Sequence, residues 1–323
     1  MRNPKVTQVF QHGQLLSMER PEYREWVLTF LTLQFLEDKR KGDITVHALF
    51  PDRDARMKAE IVAKENGILA GLEELSAFCE AEEIGMISET RDGNRVKKGE
   101  VVATLSGPIG KLLETERMGL DLLGRMSGIA TLTHELSEKV KKNSSVALAA
   151  TRKTLWGLLD KKAVYLGGGL THRLGLWQAI LVKDNHLIAL HNLHGGDAIS
   201  ESIKLSTQHP SSEETRVVEV EVESFEAARS AIQCFQECAV PSAVFGLLLD
   251  NFSPSLIDKT VAFLTEQKLR DKILLEASGG INRENLTDYA NTQVDLISLG
   301  SLTHSAPHLD FSERVMSKKS LKV

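Results

Sequence analysis

The chain has 323 residues, 42% hydrophobic and 26% charged, with a formal net charge of -5. That length supports one large or two ordinary domains with an ample core, and the mild acidity argues against a general nucleic-acid binder, which carries a basic surplus or stripe. Cys79, Cys234 and Cys238 are the only cysteines, too few for a disulfide ladder and suited to a reducing compartment.

The N-terminal MRNPKVTQVFQHGQ lacks the apolar core of a signal peptide, and no run reaches the roughly 18 apolar residues that a membrane helix needs. A cytoplasmic protein without a membrane partner is expected. From about residue 22 to 39, Trp26, Val27, Phe30, Leu31, Leu33, Phe35 and Leu36 recur at helical spacing, and GDIT at 42–45 breaks the pattern. MKAEIVAKENGILAG then alternates and ends in glycines, and RDGNRVKKGEVVATLSG sets two turn signals around a short apolar strand, so the first region reads as a small α+β domain. Residues 111–142 carry helical spacing for more than twenty positions and predict one or two helices, interrupted at Ser127-Gly128.

Six apolar runs follow: VALAATR, AILVKDNH, RVVEVEVES, AVFGLLLDN, KILLEASGG and VDLISLGSL, several separated by amphipathic stretches such as SFEAARSAIQCFQE. Near-continuous apolar strands between helices predict a parallel sheet covered on both faces, and the absence of GxGxxG after the first favours a barrel over a dinucleotide-binding sheet. Cys234 and Cys238, four apart in a predicted helix, read as a buried or neutral pair and not half a metal site. HNLH at 191–194 lacks carboxylate partners at metal-binding spacing.

Each run finishes in chemistry: Arg152 and Lys153; Lys183, Asp184 and Asn185; Glu221 and Glu223; Asp250 and Asn251; Ser278 with two glycines; Gly300 and Ser301. Taken singly, a strand-end cation is more often a surface charge, Asp250-Asn251 could cap a helix, and Ser278 to Gly280 could be a tight turn. In a parallel barrel, however, all strand C-termini open on one face, so these residues would share one pocket. Arg152, Lys153, His172, Arg173 and Lys183 would make it cationic and suit a ligand with several carboxylates or phosphates. The late glycine turns suit phosphate, and Glu221 and Asp250 suit sugar hydroxyls or a hard cation such as Mg²⁺.

The ordered set TRKT, GGGLTHRLGL, LVKDNH, VEVEVES, LLLDNFSP, LEASGGI and ISLGSLTHS, with ERMGLDLLGRMSGIATLT and GDIT upstream, resembles the quinolinate phosphoribosyltransferases over about residues 35–311. The resemblance implies transfer of phosphoribosyl from phosphoribosyl pyrophosphate to quinolinate with decarboxylation and Mg²⁺, in NAD biosynthesis. It also implies an N-terminal α/β sandwich domain (1–113), an incomplete, seven-stranded α/β barrel (114–312) and a C-terminal tail (313–323). A homodimer with shared active sites, possibly assembled further, is implied as well.

By the same resemblance, Arg152, Thr154, His172, Arg173 and Lys183 bind substrate, and Arg117 reaches in from the other subunit. Lys153, Glu221 and Asp250 are catalytic, with Glu221 and Asp250 holding metal directly or through water. Ser278, Gly279, Gly280, Gly300 and Ser301 form phosphate loops. Two departures stand out. The family's threonine-proline-glycine after TRKT is Leu155-Trp156-Gly157 here, followed by a segment about two residues shorter, and its asparagine before His172 is Thr171. These predict an altered loop near the pyridine site, with Trp156 packed on the barrel or touching ligand. Alternatives are a transferase for another acceptor, against which the dense cation set argues, and a silent metabolite sensor, against which Glu221, Asp250 and Lys153 argue.

Overall fold

The computed structural model describes residues 4–142, 144–208, 216–238 and 243–317. They form two spatial units, one drawn from the described residues of 13–134, 154–168 and 302–317 and the other from those of 4–12, 135–153 and 169–301.

In the first unit the alternating stretches become β1 (Arg56–Ala63), β2 (Gly67–Ile68), β3 (Gly85–Ile87), β4 (Arg95–Val96) and β5 (Val101–Pro108). A last strand, β12 (Phe311–Val315), pairs with β1, giving an antiparallel sheet in the order β12-β1-β5-β3 beside a β2-β4 ribbon. The predicted first helix is Pro21–Lys39, and GDIT ends the pattern because Asp43 caps the next helix, accepting from the N–H groups of Thr45 and Val46 at 2.8 and 3.0 Å.

The helix Ile109–Lys141 runs unbroken through Ser127-Gly128, against expectation. That pair marks close packing. A side chain on Gly128 would meet the carbonyl oxygen of Pro307 at 1.9 Å, and Ser127 Oγ accepts from Ala70 N–H and donates to Ala70 O. Trp156 packs in this unit, not on the barrel: its ring lies 5.6 Å from Phe30 with Arg125 over it. Asp160 closes the shortened segment by accepting from Leu155 N–H and Trp156 N–H at 2.9 and 3.1 Å while Arg125 grips it with two nitrogens.

In the second unit all six apolar runs are strands: β6 (Ala147–Ala149), β7 (Ile180–Val182), β8 (Arg216–Val222), β9 (Ala243–Asp250), β10 (Ile273–Ser278) and β11 (Leu296–Ser298). They form one parallel sheet in the order β6-β11-β10-β9-β8-β7. The glycine-rich segment adds a seventh position as one parallel bridge, Leu170 to Ala149, on the free edge of β6. Among the described residues the incomplete barrel therefore has six strands and one single-residue pairing.

The helix Pro4–Phe10 lies in this unit although its residues fall within the contiguous 1–113 span read from sequence. Its apolar residues explain the placement: Val6, Val9 and Phe10 join Ala147, Leu170, Val217, Leu274 and Leu296 in one buried cluster at the starts of the strands. Burying each such side chain contributes about 1.5–3 kcal/mol. Residues 318–323 of the tail lie outside the described residues, and no described helix is long and apolar enough to cross a membrane.

Candidate active site

The strand C-termini of the parallel unit surround a cavity of about 320 Å³ whose wall includes Arg152, Lys153, His172, Arg173, Lys183, Glu221, Asp250 and Ser278. Eight predicted residues drawn from six stretches of sequence thus meet in one place, as a parallel barrel requires. Arg152 and Lys153 extend β6, and Lys183 caps the helix Asp184–His194 after β7. Glu221 stands next to last in β8, and Asp250 ends the neighbouring β9.

Gly279 and Gly280 follow Ser278 in the left-handed region at φ 82° and 64°. At Gly279 the need for glycine is steric too, since a Cβ would lie 2.5 Å from Asn251 Oδ1. Asn251 N–H donates to Ser278 O at 2.9 Å, tying together the loops after β9 and β10. Gly300 and Ser301 follow β11. Gly279, Gly280, Gly300 and Ser301 stand beyond the strand ends and are not part of the cavity wall. Thr154 and Arg117 belong to the antiparallel unit, where Arg117 pairs with Asp121 at 3.3 Å.

Charge in the pocket is partly balanced. Lys183 Nζ donates to Glu221. Burial and the neighbouring Arg152 push the pKa of Arg173 below its ordinary value, against the pull of Glu219 and Glu276. Asp250 accepts from Asn251 Nδ2 at 2.7 Å.

Two glutamates inside the strands were missed by sequence reasoning. Glu276 and Glu219 are 2% exposed and flank His172, whose Nε2 is 2.7 Å from Glu276 and 3.6 Å from Glu219. Burial and the neighbouring Glu276 raise the pKa of Glu219 well above the carboxylate range. Burial opposes charge on Glu276 too, but His172 outweighs it and holds that carboxyl below its ordinary value. The signals in the sequence were Glu276 as a lone carboxylate within ILLEA and, in VEVEVES, the position of Glu219 two residues before Glu221, on the same face of a strand. His172 is backbone-strained for a non-glycine residue, with φ 53°, a conformation that costs ~1–3 kcal/mol and persists where surroundings over-determine it.

Glu221 and Asp250 offer hard carboxylate oxygens on adjacent strands beside the cations, a donor set that fits Mg²⁺ shared with substrate phosphates. His172, Glu219 and Glu276 also cluster closely enough for a metal, but the 2.7 Å hydrogen bond occupies the His172 nitrogen that would ligate it.

A parallel barrel that presents cations and two acids at its strand ends defines an α/β-barrel enzyme for anionic substrates. The particular family follows from sequence: the chain belongs to the quinolinate phosphoribosyl transferases, matching the N-terminal domain over residues 43–127 and the C-terminal domain over residues 129–314. It is 37% identical over 281 residues to a probable nicotinate-nucleotide pyrophosphorylase (carboxylating) of Archaeoglobus fulgidus, covering 85% of this chain and 98% of that protein. The counterpart from Bacillus subtilis is 37% identical over 294 residues, covering 89% and 93%. Among solved structures, the nicotinate-nucleotide pyrophosphorylase from Francisella tularensis superposes with a TM-score of 0.75 at 30% identity, covering 90% of this chain and 96% of that one.

Proposed function

We propose that this chain transfers phosphoribosyl from phosphoribosyl pyrophosphate to quinolinate with decarboxylation, giving nicotinate mononucleotide, pyrophosphate and CO₂ in NAD biosynthesis. The observation that carries the reading is the charge inventory of one cavity: Arg152, Lys153, Arg173 and Lys183 line about 320 Å³ together with Glu221 and Asp250. Two ring carboxylates and a pyrophosphate match the cations, and an electron-poor ribose matches the acids.

Arg152, Arg173 and Lys183 orient the dicarboxylate so that the pyridine nitrogen faces C1 of the ribose. As pyrophosphate leaves, positive charge develops on the ribose, and Glu221 stabilises it. Lys153 offsets charge on the departing group, with the loops at Ser278–Gly280 and Gly300-Ser301 donating to phosphate oxygens. Glu221 and Asp250 would hold Mg²⁺, directly or through water, and the bound ion would supply further neutralisation of the pyrophosphate. Once the nitrogen is ribosylated the ring is cationic. The C2 carboxylate then leaves as CO₂, its bonding electrons stay at C2 beside that nitrogen, and a proton replaces it.

The working form in this reading is a cytoplasmic homodimer with shared sites, to which the partner contributes Arg117. Three observations support it. The three cysteines are free thiols, Arg117 is exposed, and Leu176 and Trp177, soon after Arg173, are 73% and 67% exposed, an apolar surface that a second subunit would cover. Carbon dioxide release from carboxyl-labelled quinolinate tests the reaction. Release requiring both phosphoribosyl pyrophosphate and Mg²⁺ is expected, and folded dimer that releases none points to a different acceptor.

A further inference from the structure

His172 lines the pocket, yet both of its ring nitrogens are committed within the protein. Nδ1 accepts the N–H of Arg173 at 2.9 Å, so Nε2 carries the proton and donates it to Glu276 at 2.7 Å. The backbone is pinned as well: His172 N–H donates to Phe10 O at 2.9 Å, and the ring lies 4.6 Å from that of Phe10. Arg173, next in the chain, is itself buried and donates from Nη1 to Ala179 O at 3.2 Å.

The acids beneath are placed by the sheet. Glu276 on β10 and Glu219 on β8 are separated by β9, whose Gly246 stands in register with Glu219. A side chain there would lie 3.2 Å from Glu219 Oε1, so glycine leaves the space across which that carboxyl reaches toward His172. The order of support runs from Glu276 and Glu219 to the His172 ring, and from the ring to the Arg173 backbone.

We propose that Glu276, supported by Glu219, is a positioning residue for recognition of the pyridine dicarboxylate: it fixes the His172 ring, which aims Arg173 and leaves no ring nitrogen of its own for the substrate. This rests on the reading of the cavity as the quinolinate site.

Two measurements test it separately from that reading. In ligand-free protein with ¹⁵N-labelled histidine, His172 should be the neutral Nε2–H tautomer with Nδ1 as acceptor, and the pattern should be lost in Glu276→Leu. A His172 ring protonated at Nδ1 in wild-type protein overturns the proposal whatever the protein binds. In binding assays, Glu276→Leu should weaken quinolinate by about 10- to 100-fold, leave phosphoribosyl pyrophosphate within about twofold, and be largely rescued by Glu276→Gln, whose amide oxygen can still accept.

A double-mutant cycle identifies the route. If Glu276 acts through Arg173, Glu276→Leu adds little to Arg173→Ala. Multiplying effects, or an equal loss of both ligands, would instead mark a merely structural acid. If Glu276→Leu does not fold, Gly246→Ala replaces it in the same assays, crowding Glu219 with the same expected selectivity. Wild-type protein that shows the Nε2–H tautomer but binds no quinolinate rejects the functional reading and, with it, the role in substrate recognition.

Discussion

At the residue scale, the cations at the barrel mouth differ in how firmly they are held, and the most buried of them is the best test of ligand choice. Arg173 is 7% exposed, whereas Arg152 and Lys153 are exposed. A buried guanidinium beside another cation is costly to leave without a counter-charge, so its anion should matter strongly. Arg173→Ala is expected to weaken quinolinate binding by about 1.5–3 kcal/mol, the range for a lost charge-assisted hydrogen bond. Phosphoribosyl pyrophosphate should be far less affected; calorimetric titration with each ligand checks this, and equal losses would reject the assignment. These cations were legible because residue type and strand end coincide in sequence. Glu219 and Glu276 were not, because they stand inside their strands and their roles depend on which strands lie side by side. Thr171 shows the same limit. In the fold its hydroxyl donates to Phe10 O and accepts from His12 N–H, contacts some 160 residues distant in sequence that no local pattern contains.

At the scale of elements, hydrophobic periodicity located all six parallel strands and the long helix but misjudged that helix's continuity. Ser127-Gly128 resembles a break by propensity, since glycine inside a helix costs about 1 kcal/mol relative to alanine. Tertiary contact reverses the argument, because Gly128 lies against the Pro307 backbone. The sign of a mutation follows. Propensity alone would have Gly128→Ala stabilise the protein, but the 1.9 Å approach to Pro307 O leaves no room for a methyl group. Overpacking of this kind costs about 1–3 kcal/mol, so Gly128→Ala should lower the midpoint of chemical denaturation, and a raised midpoint would show that the loop at Pro307 yields freely. The single bridge at Leu170 was beyond sequence reasoning for a related reason. GGGLTHR has no strand-length apolar run, and only the adjacent edge of β6 gives its one pairing.

At the scale of the whole molecule, Arg117 and Arg173 belong to different spatial units, and the shared-site dimer proposed above would require them to meet from different subunits. That requirement separates the arrangement from one in which each chain completes its own pocket. Arg117→Ala and Arg173→Ala homodimers should each be nearly inactive. Mixed and allowed to exchange, they form heterodimers in which one site carries both lesions and the other carries neither. With random exchange, half of the dimers are heterodimers and each has one intact site, so recovery of about a quarter of wild-type activity is expected from the isologous symmetry of such a dimer. If each chain instead used its own Arg117, both heterodimer sites would carry one lesion and activity would not recover. Exchange is verified by mass spectrometry of differently labelled subunits, so that absent recovery with exchange complete counts directly against sharing. Neither unit's internal geometry predicts this outcome, because the quantity measured is the pairing of two copies.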